Sequence, residues 1–264
     1  MKRTAIAIAL ISGLVVALLM AGCSVPLVGF VTASGPILTR DYDVTGFSSV
    51  DSGGVYQIEL VPSESYSVEV TSNENIFDYI EVTKSGSTLK LGLRNGISFN
   101  GPLTLKAKIT MPELWGLELS GASNATADGF KSAHDFRLNV SGAGRADFDL
   151  ETGRFTADLS GAGRGQGKLK AADTDIRLSG AANLELEGSA ANTVINGSGA
   201  ASAGLSEFNV KKDARVTLSG GSHGSINVSG KLDVNLSGGS TLQYGGSPTM
   251  GRVDVSGGST LRHE

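Results

Sequence analysis

Among the acids between residues 128 and 187 are Asp128, Asp147, Asp149, Glu185 and Glu187, which recur at related positions. Paired acids support two kinds of chemistry. One carboxyl can protonate a glycosidic oxygen while another activates water, which for inversion needs roughly 6.5–9.5 Å between them. Alternatively, hard oxygens from neighbouring segments can hold calcium. The histidines, His134, His223 and His263, raise the question of zinc, which needs three or four converging ligands. A recurrent Ser-Gly step raises two more: a nucleophile elbow, or a glycine-rich phosphate cradle. The one cysteine is Cys23, so no intrachain disulfide can form and the fold must rest on its core. Which chemistry is open depends on the elements that position these side chains.

The Ser-Gly steps reveal those elements. They fall at Ser120, Ser141, Ser160, Ser179, Ser198, Ser219, Ser237 and Ser256, spaced by 21, 19, 19, 19, 21, 18 and 19 residues. A fixed period near 20 means stacked units. One residue before the serine stand Leu119, Val140, Leu159, Leu178, Gly197, Leu218, Leu236 and Val255; three before it, the column is again apolar. The column between is wholly polar, from Glu118 and Asn139 to Asp254. That alternation is a strand with one wet face. A second alternating strand follows each serine, with inward columns that include Phe148 and Tyr244. Blades of a propeller need about 40 residues, and leucine-rich repeats need their own signature. Coils of about 19 residues with short strands predict an all-β parallel β-helix, or β-solenoid, each strand pairing with its copy about 4.8 Å away.

This register decides the chemistry. The two positions after each Ser-Gly hold only Ala, Gly or Ser. A tight stacked corner requires this, and it predicts overpacking for a larger residue at Ala162. No helix and no P-loop lysine follows these glycines, and no histidine shares the serine column, so neither cradle nor elbow is expected. The histidines occupy unrelated repeat positions. Asp128 and Asp149 belong on successive coils, facing outward, with Asp147 beside them. Glu185 and Glu187 follow two coils on, with Gln166 and Lys168 between. Any two residues two coils apart would be about 9–10 Å distant, so the Asp147–Glu185 spacing is a property of the scaffold. The expected role of this face is a solvated surface. A weak calcium site and a catalytic pair are the alternatives. No catalytic residue, cofactor or metal ligand is assigned.

The chain opens with Lys2 and Arg3, then an uncharged apolar run to Gly22. Residues 1–22 read as a signal peptide, with a retained membrane helix as the alternative. The net charge of −4 becomes −6 once Lys2 and Arg3 are removed with that segment, which contains no acid. An acidic chain is not expected to bind nucleic acid. "LMAGC" before Ser24 resembles a bacterial lipobox. The resemblance implies cleavage before Cys23 and a lipid on its sulfur. At about 0.8 kcal/mol per buried methylene, two or three acyl chains anchor permanently. Residues 23–36 then read as a lipid-anchored tether of small residues, Gly and Pro. Residues 37–119 alternate (Tyr56-Ile58-Leu60, Tyr66-Val68-Val70, Leu89-Leu91-Leu93) outside the Ser-Gly register, and read as a β-rich start of the same solenoid that caps its first coil. Residues 120–264 are the repeat β-helix.

"YDVTGFSSVDSGGVYQIELV", "SGSTLKLGL", "ITMPELWGLELSGAS" and the repeated "SGAG" together resemble the head GIN domain family of auto-transporter adhesins, from Tyr42 onward. The resemblance implies a secreted or lipid-anchored bacterial β-solenoid and supplies no catalytic residues. An auto-transporter barrel would show ~10-residue alternating strands at the C-terminus; none is expected in a sequence that is still inside a repeat at Glu264. The expected protein is a non-enzymatic lipoprotein of the cell envelope, on the extracytoplasmic side of a membrane that it meets through its lipid. Its polar face would serve an envelope protein or glycan. A carbohydrate-active or carbohydrate-binding β-helix is the alternative. Val253 and Val255 belong to a coil with an open ladder edge. Charge at Arg262, His263 and Glu264 would guard that edge and favour a monomer, with end-to-end pairing as the other outcome.

Overall fold

A computed structural model describes residues 29–264. The expectations for residues 1–22 and Cys23 lie outside the described residues. The N-terminal part holds β1 (Gly29–Thr32), β2 (Ile37–Asp41), β3 (Ser49–Ser52), β4 (Gln57–Pro62) and β5 (Ser67–Asn73). A 3-10 helix (Glu74–Tyr79) precedes β6 (Ile80–Ser85), β7 (Thr88–Leu93), β8 (Ile97–Asn100) and β9 (Leu105–Met111). The repeats supply β10 (Gly116–Leu119), β11 (Asn124–Lys131), β12 (Phe136–Val140), β13 (Arg145–Leu159), β14 (Arg164–Leu178), β15 (Asn183–Ala190) and β16 (Asn192–Gly197). They continue through β17 (Ser202–Val210), β18 (Ala214–Leu218), β19 (His223–Val228), β20 (Lys231–Leu236), β21 (Thr241–Gly246), β22 (Thr249–Val255) and β23 (Thr260–His263).

From β10 on, every pairing between coils is parallel and joins columns of the repeat. The fold is the β-solenoid expected, with ~19-residue coils. The strands of the coils belong to one continuous sheet that winds around the core as two faces, called here the first and second sheets. The columns before each serine build one, and Leu138, Ile176, Val216 and Leu236 fill it from inside. The columns after each serine build the other, with Ala146, Leu184 and Leu242 pointing in.

Stacking carries hydrogen bonds straight through the Ser-Gly corner. Ser179 N–H donates to the Leu159 carbonyl at 3.0 Å, Ala181 N–H to Gly161 at 2.7 Å and Asn183 N–H to Gly163 at 3.0 Å. The corner glycine repeats the same left-handed conformation, with φ of 68° at Gly161, 72° at Gly180 and 79° at Gly199. That region penalises any residue with a Cβ. The expectation for Ala162 is corrected here. Ala162 lies on the outside of the corner and is exposed, whereas the next residue is buried (Gly163, and Ala182 and Ala201 in the following coils). The small-residue rule therefore has two causes. The outer column is backbone at the apex of a turn, and only the inner column is limited by space.

The N-terminal part caps the solenoid, but not in chain order. β3 and β4 form a coil whose corner, Gly53-Gly54, sits under Ser120-Gly121. The chain then leaves the stack. β7 pairs in parallel beneath β3, and β9 beneath β4. Antiparallel partners finish this end: β6 on β7, and β5 then β2 on β9. A parallel coil always exposes another coil's worth of edge, whereas antiparallel strands can fold back within a short connection. The 3-10 helix buries Ile76 and Phe77, and Arg40 lies over the Phe77 ring at 4.2 Å. Only after this excursion does β10 resume on the other side of β3. Gly29–Thr32, placed by sequence within the 23–36 tether, forms β1 and pairs in parallel with β8. The β-branched and aromatic residues of "GFVT" favour a strand over a tether once β8 offers an edge.

Candidate functional site

The outward face of the second sheet carries Asp128, Asp147, Asp149, Glu185 and Glu187. Its strands pair as the columns require: Thr126 beside Asp147, Asp147 beside Gln166, and Gln166 beside Glu185. One column further, Asp128, Asp149, Lys168 and Glu187 stack in the same way. The ladder continues toward the cap through Glu59, Lys108 and Glu69. It is interrupted at Gly204. Gly204 follows Glu185 without a side chain, and the pairing of β15 with β17 shifts register after it. A groove of about 720 Å³ opens there, lined by Asp149, Lys168, Glu187, Gly204 and Glu207 among others. Phe148 also borders it but is buried, so no aromatic ring stands free as a platform for a sugar.

The charges on this face are tied to one another. Arg145 grips both oxygens of Asp147, with Nε to Oδ2 and Nη2 to Oδ1 both at 2.8 Å, and Nη2 also reaches Gln166 Oε1 at 3.1 Å. The hydrogen-bonded Asp147 carboxylate raises the already high pKa of Arg145. Glu185 accepts from Asn183 Nδ2 at 3.1 Å. At the edge of the face, Lys170 donates to Glu151 at 2.6 Å and holds that carboxyl below the usual range. Asp147 and Glu185 lie two coils apart as expected, yet Asp147 is already engaged by a guanidinium.

The histidines remain apart. His134 lies against Trp115, ring centroids 4.4 Å apart, with Nε2 3.7 Å from Glu113 Oε2. Trp115 Nε1 donates to the same carboxylate oxygen at 2.8 Å. His223 opens β19, and His263 lies over Tyr244 with Nε2 2.9 Å from the Gly246 carbonyl. Among the described residues no three His, Cys, Asp or Glu side chains gather where they could hold a metal ion. No described helix is long and apolar enough to cross a membrane. The Trp115–His134–Glu113 cluster has no counterpart in the repeat columns. Its members come from the cap-to-repeat junction and one turn, so no periodic signal could have revealed it.

The fold and this face define a class: a β-solenoid whose coils align polar side chains into one long, internally paired surface. The chain belongs to the family described as "Putative auto-transporter adhesin, head GIN domain", whose model matches residues 46–248. Solved structures share the fold, three of them as follows. A "putative lipid binding protein" from Parabacteroides distasonis has TM-score 0.83 at 18% identity, over 89% of this chain and 99% of its own. A "putative adhesin" from Parabacteroides merdae has TM-score 0.81 at 19% identity, over 89% and 99%. Another, from Bacteroides fragilis, has TM-score 0.67 at 20% identity, over 89% and 100%. No curated protein matches the chain. The family is adhesin-like, which is the character of a cell-surface or envelope protein.

Proposed function

We propose that the protein is a non-enzymatic, lipid-anchored binding protein of the cell envelope, with the outward face of the second sheet as its working surface. One observation supports this most: the unbroken register that sets Asp128, Asp149, Lys168 and Glu187 side by side across four coils. A regular ladder of charged side chains, acidic except at Lys168, matches an extended, repetitive partner, such as an envelope protein or a polar glycan. The Arg145–Asp147–Gln166 contacts hold that ladder in place before any partner arrives, which lowers the entropy lost on binding. The adhesin-like family and the lipobox-like "LMAGC" agree with a place in the envelope.

Anchoring is tested at Cys23. Cys23→Ser should abolish incorporation of radiolabelled palmitate and either free the chain from membranes or leave it unprocessed. Label that persists in the variant contradicts a thioether lipid at this residue.

A further inference from the structure

Away from the charged ladder, exposed rings and a carboxylate meet where the cap joins the first repeat. Glu113 and Trp115 lie on the connection from β9 to β10, and His134 in the turn between β11 and β12. Among the described residues, Phe30 and Trp115 are the Phe, Tyr and Trp side chains classed as exposed. Trp115, the one tryptophan of the chain, is 39% exposed. An indole usually combines deep burial with a paired N–H. Here the pairing is kept without the burial: Nε1 donates to Glu113 Oε2 at 2.8 Å. The imidazole of His134 stacks on the indole with an interplanar angle of 40°, and the His134 side chain is itself 57% exposed.

Both rings are held from behind. Trp115 N–H donates to the Ser48 carbonyl at 2.7 Å, and the Trp115 carbonyl accepts from Arg137 N–H at 2.9 Å, so its backbone is fixed between two coils. His134 N–H donates to Ser132 Oγ at 3.1 Å, and the His134 carbonyl accepts from Gly153 N–H at 2.9 Å and from Thr152 Oγ1 at 2.6 Å. Surfaces fixed in advance lose little entropy on binding. Glu113 Oε2 serves the indole edge and lies 3.7 Å from His134 Nε2. Glu113 Oε1 and His134 Nδ1 make no hydrogen bond to the described residues, and the Glu113 side chain is 44% exposed. A carboxylate oxygen and a ring nitrogen therefore border the two rings with hydrogen-bonding capacity unspent.

We propose that Trp115, His134 and Glu113 form a sugar-binding site that takes the flat face of a pyranose ring with equatorial hydroxyls. Such a ring presents only C–H groups on its two faces and sets its hydroxyls around its rim. The C–H groups carry slight positive charge and suit the negative face of an aromatic ring. Rim hydroxyls then donate to Glu113 Oε1 and bond to His134 Nδ1, and a few polar groups of this kind fix a ligand's orientation. An organic cation is the other ligand that suits rings beside a carboxylate. Cations are best held by aromatic side chains standing around them as a cage, whereas two rings stacked at 40° offer one broad surface. The site rests on contacts at the cap junction and not on the role proposed for the second sheet.

The single tryptophan makes the test direct. The full chain, in a detergent without a sugar headgroup, is titrated with the β-1,4-linked tetrasaccharides of glucose and of N-acetylglucosamine while Trp115 emission is followed. A saturable change is expected with at least one of them. Calorimetry with that sugar should show binding lost in Trp115→Ala and lowered at least tenfold in His134→Ala and in Glu113→Ala. Phe30→Ala, which removes the other exposed ring, should bind as wild type does. Circular dichroism confirms that each variant is folded, and His134→Ala gives a reading that leaves Trp115 in place. No change of emission with either sugar, a saturable change with tetramethylammonium alone, binding undiminished in His134→Ala and Glu113→Ala, or equal loss in Phe30→Ala would overturn the proposal.

Discussion

Gly180→Val should cost roughly 2–6 kcal/mol. Two separate penalties add. Gly180 has φ of 72°, and forcing a β-branched residue into that region costs about 1–3 kcal/mol. A Cβ built there would also lie 2.8 Å from the Gly161 carbonyl oxygen, the acceptor of the Ala181 N–H. The neighbouring coil must then move, which costs about another 1–3 kcal/mol. Against a typical total of about 5–15 kcal/mol, this removes much of the stability of the stack. The two following residues serve as internal controls. Ala181 is exposed and Ala182 buried, so Ala181→Leu should change stability by less than about 0.5 kcal/mol, and Ala182→Leu should lose about 1–3 kcal/mol by overpacking. Urea denaturation midpoints rank the three. Equal midpoints for Gly180→Val and Ala181→Leu would contradict the corner geometry.

Phe155→Ala should be nearly as damaging, at about 3–5 kcal/mol. Phe155 is fully buried, stacked on Phe136 with ring centroids 5.9 Å apart and tilted against Phe148 at 5.6 Å. Its neighbour in the next coil is Thr174, whose hydroxyl donates to Thr193 Oγ1 at 2.9 Å. Aromatic packing therefore ends at this level. A cavity here cannot be refilled from the next coil without burying an unpaired hydroxyl. Phe155→Leu keeps most of the volume and should lose less than half as much. Thermal melting of the two variants decides it: equal melting temperatures would mean that the ring stack adds nothing.

What was legible in the sequence was whatever repeats. The Ser-Gly period placed Asp147, Gln166 and Glu185 in adjacent coils, and the pairings agree residue for residue. Alternation put Phe148 inside, where it is buried. The period could not show how the cap is wired. The cap is built by β7 and β9, which slide under β3 and β4 out of chain order, and long-range pairing leaves no local pattern. The corner at Gly53-Gly54 was hidden for a simpler reason. Its Ser52 aligns with Leu119 rather than with Ser120, so a search on Ser-Gly steps passes over it. The groove at Gly204 comes from a register shift after Glu185, and a one-residue irregularity is invisible to a column that tolerates any polar residue. The small-residue rule at the corner was readable, but not which of its two columns faces the core. Composition cannot separate a turn apex from a crowded interior, since both select Ala and Gly.

The functional reading turns on the charged ladder of the second sheet. Binding of the full chain to isolated cell envelope, compared between two charge-reversed variants, measures this most directly. Glu185→Lys with Glu187→Lys alters the ladder, and Asp158→Lys makes a similar change on the first sheet, where Asp158 lies between Arg137 and Arg177 at 3.8 and 3.7 Å. At least a tenfold loss of binding is expected for the second-sheet variant, and near wild-type binding for Asp158→Lys. Equal binding by both variants and wild type, or loss only with Asp158→Lys, would contradict it.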